Sequence, residues 1–211
     1  MATYGGRLMA NILVACETSG RVREAFRKLG HNAWSCDVLP ADGCSNHHFQ
    51  CDVMDLIPPR WRGVEWDLMV AHPPCTYICN SGVSWLHREE GRWDKLDDGA
   101  KFFKELLDAP IPRIAIENPI PHKYGVERIG RKYDQIIQPW QYGHGETKAT
   151  CLWLKNLPKL VPTDIVEGRF GYSHSLPPSE ERWKLRSITY QGIADAIADQ
   201  WSEALNKGGN E

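Results

Sequence analysis

No apolar run in this sequence approaches the roughly 20 residues that a membrane-spanning helix needs, and its first residues carry no signal-like apolar core. Neither sign of charge dominates. With 25 basic and 27 acidic side chains the net charge is −2, so no global field draws the protein to nucleic acid, and a nucleic-acid partner requires a local basic surface. The seven cysteines form no regular framework, and their odd number points to a reducing compartment rather than to disulfide scaffolding. Internal repeats and low-complexity blocks are also missing. These absences leave the expectation of a soluble, cytoplasmic protein without a membrane partner. Its 211 residues suffice for one domain with a proper core. Residues 1–8 read as a flexible tail and 208–211 as a disordered one.

What the chain does have is a patterned succession of short apolar runs. Asn11-Ile12-Leu13-Val14-Ala15-Cys16 reads as a first, central strand. Glu17-Thr18-Ser19-Gly20 follows as a turn, then Val22, Ala25, Phe26 and Leu29 at helical spacing, with Gly30 as a stop. Ala33-Trp34-Ser35-Cys36 is a second strand ending at Asp37. This is the order of a nucleotide-binding half-fold, in which a carboxylate at the second strand's end takes ribose hydroxyls. An ordinary crossover with a solvated Asp37 fits the same pattern. A short strand over 49–53 contains Asp52, a second acidic residue at a carboxyl edge. Cys44, His47, His48 and Cys51 have a spacing that closes a metal tetrahedron poorly, and no metal is expected there.

The stretch around which the rest is organised is Ala71-His72-Pro73-Pro74-Cys75-Thr76-Tyr77. Leu68 to Ala71 reads as a buried strand that the prolines must end, which leaves Cys75 on a rigid loop at a strand's carboxyl end. Open α/β sheets bind ligands at that edge. A thiol there is a candidate nucleophile, or else a small buried hydrophobe. The region after it, with Asn80, Ser81 and Gly82, is small and polar. Asp97-Asp98 reads as the cap of a helix carrying Phe102, Phe103, Leu106 and Leu107. The next strand, Arg113-Ile114-Ala115-Ile116, delivers Glu117-Asn118-Pro119 to the same edge as Cys75 if both strands are parallel. A carboxylate so placed is partly desolvated, and its proton affinity is expected to rise toward acid catalysis; a loop cap is the plainer alternative.

Further strands are expected over 135–140 and 150–154. Between them lies the polar loop Gly143-His144-Gly145-Glu146-Thr147-Lys148. Residues 159–187 are proline-rich and irregular, with Arg169, Arg182, Lys184 and Arg186 among Phe170, Tyr172 and Trp183. Such a segment is a solvated surface or a basic patch that meets phosphate and bases. Ile193, Ile197, Trp201 and Leu205 form an i, i+4 stripe of core packing on a closing helix.

As an ordered set, the Ser19-Gly20 turn, Asp37, Asp52, Pro74-Cys75 and Glu117-Asn118 resemble the DNA cytosine-5 methyltransferases, and among them the short forms encoded by bacteriophages and prophages. The resemblance runs over about residues 11–157 and resumes in the last helix. It implies an α/β, Rossmann-like, doubly wound, mostly parallel sheet, the class I methyltransferase fold. The expected division is a catalytic core over 9–158, a reduced target-recognition region over 159–187, and a C-terminal helix over 188–207. Also implied is S-adenosyl-L-methionine as cofactor, held by Glu17, Ser19, Gly20, Asp37, Asp52, Val53 and Pro73. The implied catalytic group is Cys75, Glu117, Asn118 and Lys148, and the substrate side falls to Thr76, Tyr77, Asn80, Ser81, Thr150, Arg169, Arg182, Lys184 and Arg186.

By the same resemblance the Cys75 thiolate adds to carbon 6 of cytosine, and Glu117 holds ring nitrogen 3 and the exocyclic amine. The base is reached by flipping it out of duplex DNA, or in a single strand. Thr76 stands where the family has glutamine, and Lys148 and Thr150 stand where it has a pair of arginines. The recognition region is also far below ordinary domain size. Relaxed specificity, a single-stranded or small pyrimidine substrate, or a separate specificity protein is therefore expected. A homologue that binds without turnover is the non-enzymatic alternative.

Overall fold

The computed structural model describes residues 3–4, 7–179 and 182–207. Its centre is a sheet of seven strands: β1 Asn11–Ala15, β2 Asn32–Asp37, β3 His48–Gln50, β4 Leu68–Ala71, β5 Ile114–Pro119, β6 Gln135–Ile137 and β7 Thr150–Lys155. They lie in the order β3-β2-β1-β4-β5-β7-β6. The pairs from β3 to β5 are parallel, and β7 runs antiparallel to both β5 and β6. The order reverses beside β1, and the carboxyl ends of β1 and β4 at such a switch point are where open α/β sheets take ligands.

Six helices accompany the sheet: α1 Arg21–Lys28, α2 Arg92–Leu107, α3 Lys123–Ile129, the short α4 Tyr172–Ser175 and α5 Arg182–Ser187, and α6 Gln191–Lys207. Alternation along each strand divides the core between the two faces. Leu13, Met69, Ile114, Ile116 and Trp153 pack with Leu96 and Phe103 of α2 on one face. Ile12, Val14, Leu68 and Val70 pack with Phe26 of α1 and with Ile193, Ile197 and Trp201 of α6 on the other. The expected stripe on the closing helix is thus core, and all four of its members are buried. Helices on both faces make the fold doubly wound.

Several local details differ from the sequence reading. Helix α2 begins at Arg92 behind Gly91, a left-handed residue with φ 68°, and not at the Asp97-Asp98 pair. Asp97 lies within α2 and pairs with Arg128 of α3. Glu117, Asn118 and Pro119 are part of β5, because β7 pairs with them through Leu152, Cys151 and Thr150. The strand that precedes Asp52 stops at Gln50, and Asp52 instead caps a 3-10 turn over Val53–Leu56. The irregular 159–187 segment contains α4 and α5. Within the expected N-terminal tail, Thr3–Tyr4 pairs antiparallel with Arg7–Leu8. The rest of that tail and residues 208–211 lie outside the described residues.

Candidate functional site

The register of the parallel pair β4–β5 sets the geometry of the edge. Ala71 lies opposite Ile116, so the next residues, His72 and Glu117, emerge side by side on one face. His72 Nδ1 stands 3.0 Å from Glu117 Oε2, both side chains being only 13% exposed. Thr189, just ahead of α6, donates its hydroxyl to the same oxygen at 3.4 Å. Burial alone would push the Glu117 carboxyl up; the hydrogen bond and charge of His72, the charge of Lys148 and the Thr189 hydroxyl outweigh it and hold Glu117 below its usual range. Burial opposes a charge on His72 too, and the Glu117 bond and the charges of Glu117 and Glu17 overcome both it and Lys148, raising the imidazole. The site therefore holds an ion pair. This corrects the expectation that the Glu117 proton affinity rises.

Asn118 points to the opposite face from Glu117. It is 1% exposed, and its Nδ2 donates to the Pro73 carbonyl at 3.0 Å, which pins the proline loop to β5. Beyond the prolines, the amides of Ile78 and Cys79 turn back onto the Cys75 carbonyl at 3.1 and 3.0 Å. Cys75 thus sits at the start of a tight turn, half-buried and reduced. Its thiol donates to Cys79, and that bond, with burial, raises its pKa. Cys79 opens the 3-10 turn Asn80–Trp85, and its sulfur lies 3.0 Å from the Ser81 hydroxyl. The bond from Cys75 first, with those from Ser81 and Gly82 overcoming burial, lowers Cys79 to about 5. Gly82 closes the turn because nothing larger fits: a Cβ there would lie 2.5 Å from the Thr76 carbonyl oxygen. That carbonyl also accepts from Arg92 at 3.3 Å, and the Arg92 guanidinium lies 4.5 Å from the centre of the Tyr77 ring. Thr76, Asn80 and Ser81 are exposed.

On the far side of the cleft, Lys148 Nζ donates to the Arg186 carbonyl at 2.6 Å and lies 5.6 Å from the Tyr190 ring centre. The Arg186 charge lowers the Cys75 pKa slightly against the larger effects that raise it, so α5 is within electrostatic reach of the Cys75 loop. Lys184 of the same helix pairs with Asp42 at 2.7 Å. Arg169 packs 3.7 Å above the Trp140 ring, and Phe170, Tyr172 and Trp183 are 72%, 65% and 60% exposed. Thr150 departs from its expected place. It is 3% exposed inside the sheet, and its hydroxyl donates to the Lys148 carbonyl, so it presents nothing to a nucleic acid.

The expected cofactor residues follow successive strands: Glu17, Ser19 and Gly20 after β1, Asp37 at the end of β2, Asp52 and the buried Val53 after β3, and Pro73 after β4. Cys16 takes a left-handed φ of 58°, after which the Glu17 carboxylate accepts from the α1 amides of Val22 at 2.9 Å and Arg23 at 3.4 Å. Ser19 donates to Glu17 as well, at 3.3 Å, and Gly20 supplies the left-handed N-cap of α1. Asp37 accepts from the Leu39 amide and Asp52 from the Met54 amide, both at 2.9 Å, leaving each carboxylate a second oxygen. Burial, then Asp37 and Asp52, push the Cys16 thiol up to about 12, so the two acids converge on this exit. The α1 amides that would cradle a phosphate are already taken by a carboxylate. A cofactor here must do without phosphate at that point, a condition S-adenosylmethionine meets.

Among the described residues, no cluster of His, Cys, Asp and Glu is arranged to hold a metal. His48 bonds to Ser35 at 2.8 Å, and His47 packs against Trp34. No described helix is long and apolar enough to cross a membrane. Sequence reasoning missed His72, Cys79, Arg92 and Thr189. Only a polar residue at the end of an apolar strand, just before two prolines, signalled the first of them.

No family model matches the sequence, and no curated protein does either. Partial structural similarity extends to a protein described as a DNA modification methyltransferase encoded within an E. coli prophage (TM-score 0.46, 14% identity, 74% of this chain and 52% of that one). It extends also to S. pombe Dnmt2 methyltransferase (0.46, 14%, 72% and 51%) and to Entamoeba histolytica methyltransferase EhMeth (0.42, 15%, 82% and 61%). The chain spans less than two thirds of the length of each.

Proposed function

We propose that this protein methylates carbon 5 of cytosine in DNA through a covalent Cys75 adduct, with S-adenosylmethionine as methyl donor. The observation that carries the reading is the tie between the Cys75 loop and the Glu117 strand, made by the Asn118 amide on the Pro73 carbonyl at 3.0 Å. On this reading the thiol that follows β4 and the buried carboxylate at the end of the adjacent β5 act on one ring, the pairing that addition to a pyrimidine requires. When bound, S-adenosylmethionine supplies an electrophilic methyl group. Glu17, Ser19 and Gly20 would border its methionine part, Asp37 the ribose, Asp52 and Val53 the adenine, with the Pro73 backbone alongside.

For the chain's own part, Cys75 gives up its proton and its sulfur bonds to carbon 6, which turns the 5,6 double bond into an enamine rich at carbon 5. Cys79 accepts the hydrogen bond of the Cys75 thiol but, with its own proton affinity lowered and that of Cys75 raised, does not take the proton, which passes to solvent as the sulfur adds. Glu117 binds the nitrogen 3 edge and the exocyclic amine as charge develops there. After transfer, the carbon 5 proton leaves and the carbon–sulfur bond breaks. Lys148 holds α5 over the site, and Arg169, Arg182, Lys184 and Arg186 supply the local basic surface, with Phe170, Tyr172 and Trp183 as stacking platforms for a strand.

The deciding experiment is nucleoside mass spectrometry of DNA from cells expressing the chain or its Cys75→Ser variant. 5-Methylcytosine with the first and none with the second is the expected result, and no modified cytosine in either overturns the reading. A second reading, the same chemistry on a free pyrimidine nucleotide, draws on the fact that α4 and α5 are the only helices the described 159–187 segment offers for reading bases. Purified protein turning over deoxycytidine monophosphate but not oligonucleotides would establish it.

A further inference from the structure

Neutral cytosine offers a lone pair at nitrogen 3 beside an exocyclic amine. A carboxylate can accept from the amine but has no hydrogen for the nitrogen. His72, Lys148 and Thr189 hold the Glu117 carboxyl below its usual range and so favour the carboxylate, and a proton must reach it before it can grip the ring. The imidazole at 3.0 Å is the donor in place. Its partner dictates the assignment: facing a carboxylate, Nδ1 carries the hydrogen. Nε2 is buried and has no hydrogen-bond partner among the described residues. It keeps its hydrogen whether or not Nδ1 gives one up, so the ring need not turn.

We propose that His72 stores the proton that Glu117 presents to ring nitrogen 3. This rests on the methyltransferase reading above, and His72 acts through Glu117 as a positioning residue without touching the base. As the base docks, the Nδ1–H bond breaks and an O–H bond forms on the Glu117 carboxyl. The pair passes from imidazolium and carboxylate to neutral imidazole and carboxylic acid. That acid donates to nitrogen 3 while its carbonyl oxygen accepts from the amine. When the ring is released the proton returns to Nδ1, so none is consumed and none is drawn from water.

The groups facing the pair are consistent with this role. Glu17, from the turn after β1, favours the charged imidazole, and Lys148, ahead of β7, opposes it. Lys148 and Thr189 favour the ionised carboxyl. Lys148 is a poor alternative donor because its ammonium already serves the Arg186 carbonyl, and the Thr189 hydroxyl is a far weaker acid than an imidazolium.

The test uses addition without the cofactor. Once sulfur bonds to carbon 6, carbon 5 of the enamine takes a deuteron from heavy water; loss of the original proton and of the sulfur leaves cytosine deuterated at carbon 5. Exchange into an oligonucleotide would be followed by mass spectrometry over about pH 6 to 8 for the wild-type chain, His72→Gln and His72→Asn. The Cys75 thiolate titrates alike in all three, so the readout is the ratio of variant to wild-type rate. With Glu117 left to find its own proton, that ratio should fall about tenfold per pH unit until pH passes the raised imidazole value and then level off. Variants slowed equally at every pH, with the wild-type profile, would overturn the role of His72 while sparing the methyltransferase reading. A wild type that exchanges nothing would overturn both. Should the variants fail to fold, ¹⁵N resonances of the wild-type imidazole decide. Conversion of Nδ1 from protonated to accepting when the oligonucleotide binds supports the proposal, and an imidazolium that persists in the complex overturns it.

Discussion

The two ends of the sheet's carboxyl edge treat their carboxylates differently. At the exits of β1, β2 and β3, Glu17, Asp37 and Asp52 each accept from backbone amides within a few residues of themselves. At the exits of β4 and β5, Glu117 faces the side chains of His72 and Thr189 from distant parts of the chain. Buried atoms also lack hydrogen-bond partners there: His72 Nε2 and Asn118 Oδ1. Buried polar atoms are normally satisfied, so those left over mark places where something else is expected to bind or react. The first end satisfies its carboxylates locally, while the second leaves polar atoms over. On the proposed reading the first holds the cofactor and the second meets the base, so substitutions should add a loss of stability to the loss of activity at the first and cost mainly chemistry at the second.

The largest effect belongs to the reactive end. Cys75→Ser should cut methyl transfer by about 10⁴-fold or more, measured with labelled cofactor and DNA, with little change in the unfolding midpoint. Glu117→Gln should follow, with a loss of about 10²- to 10³-fold. If instead either variant keeps its rate but unfolds early, the contrast between the two ends collapses. At the other end, Glu17→Ala strips the cap from α1 and leaves two buried amides unpaired. It should cost about 1–3 kcal/mol in urea unfolding.

How much of this contrast could be read from the chain depended on its range. The capping end is local, and Glu17, Ser19, Gly20, Asp37 and Asp52 were singled out by their places at strand ends, within short reach of their partners. Strand β4 was equally plain, as four apolar residues stopped by two prolines. The start of α2 was hidden because Gly91 caps it by backbone conformation alone, whereas Asp97-Asp98 imitates a cap and is used for a pair with Arg128. The reactive end is long-range. Nothing near His72 announces Glu117; only the parallel register of β4 on β5 sets them side by side, and that pairing, with Lys148 and Thr189, reverses the expected direction of the Glu117 pKa. Thr150 looked available for DNA until β6 and the β5 pairing covered it.

The pair of His72 and Glu117 also makes a pH signature. His72 is raised, so its contribution is fully present below the unfolded imidazole value of 6.5 and is lost as pH rises through the folded one. Glu117 is depressed, so its contribution is present above the unfolded carboxyl value of 4.5 and is lost as pH falls through the folded one. Both are in force between 4.5 and 6.5. The stability difference between wild type and His72→Gln should peak in that window and shrink on both sides. Urea midpoints across pH test this.

The smallest effect joins the two ends. Lys184 of α5 pairs with Asp42, whose amide donates to the Thr18 carbonyl beside the capped turn, while Arg186 of the same helix holds Lys148 near Glu117. The Lys184 and Asp42 side chains are 45% and 21% exposed, so water and salt screen the pair. Lys184→Ala should cost no more than about 0.5 kcal/mol of global stability. Local opening is a different matter, because α5 is short and its loss need not unfold the sheet. Hydrogen exchange at residues 182–187 should therefore quicken in Lys184→Ala while the strands exchange as before. Unchanged exchange over those residues would mean that the Lys148 bond alone holds α5, so that the strap depends on the reactive end rather than bridging both.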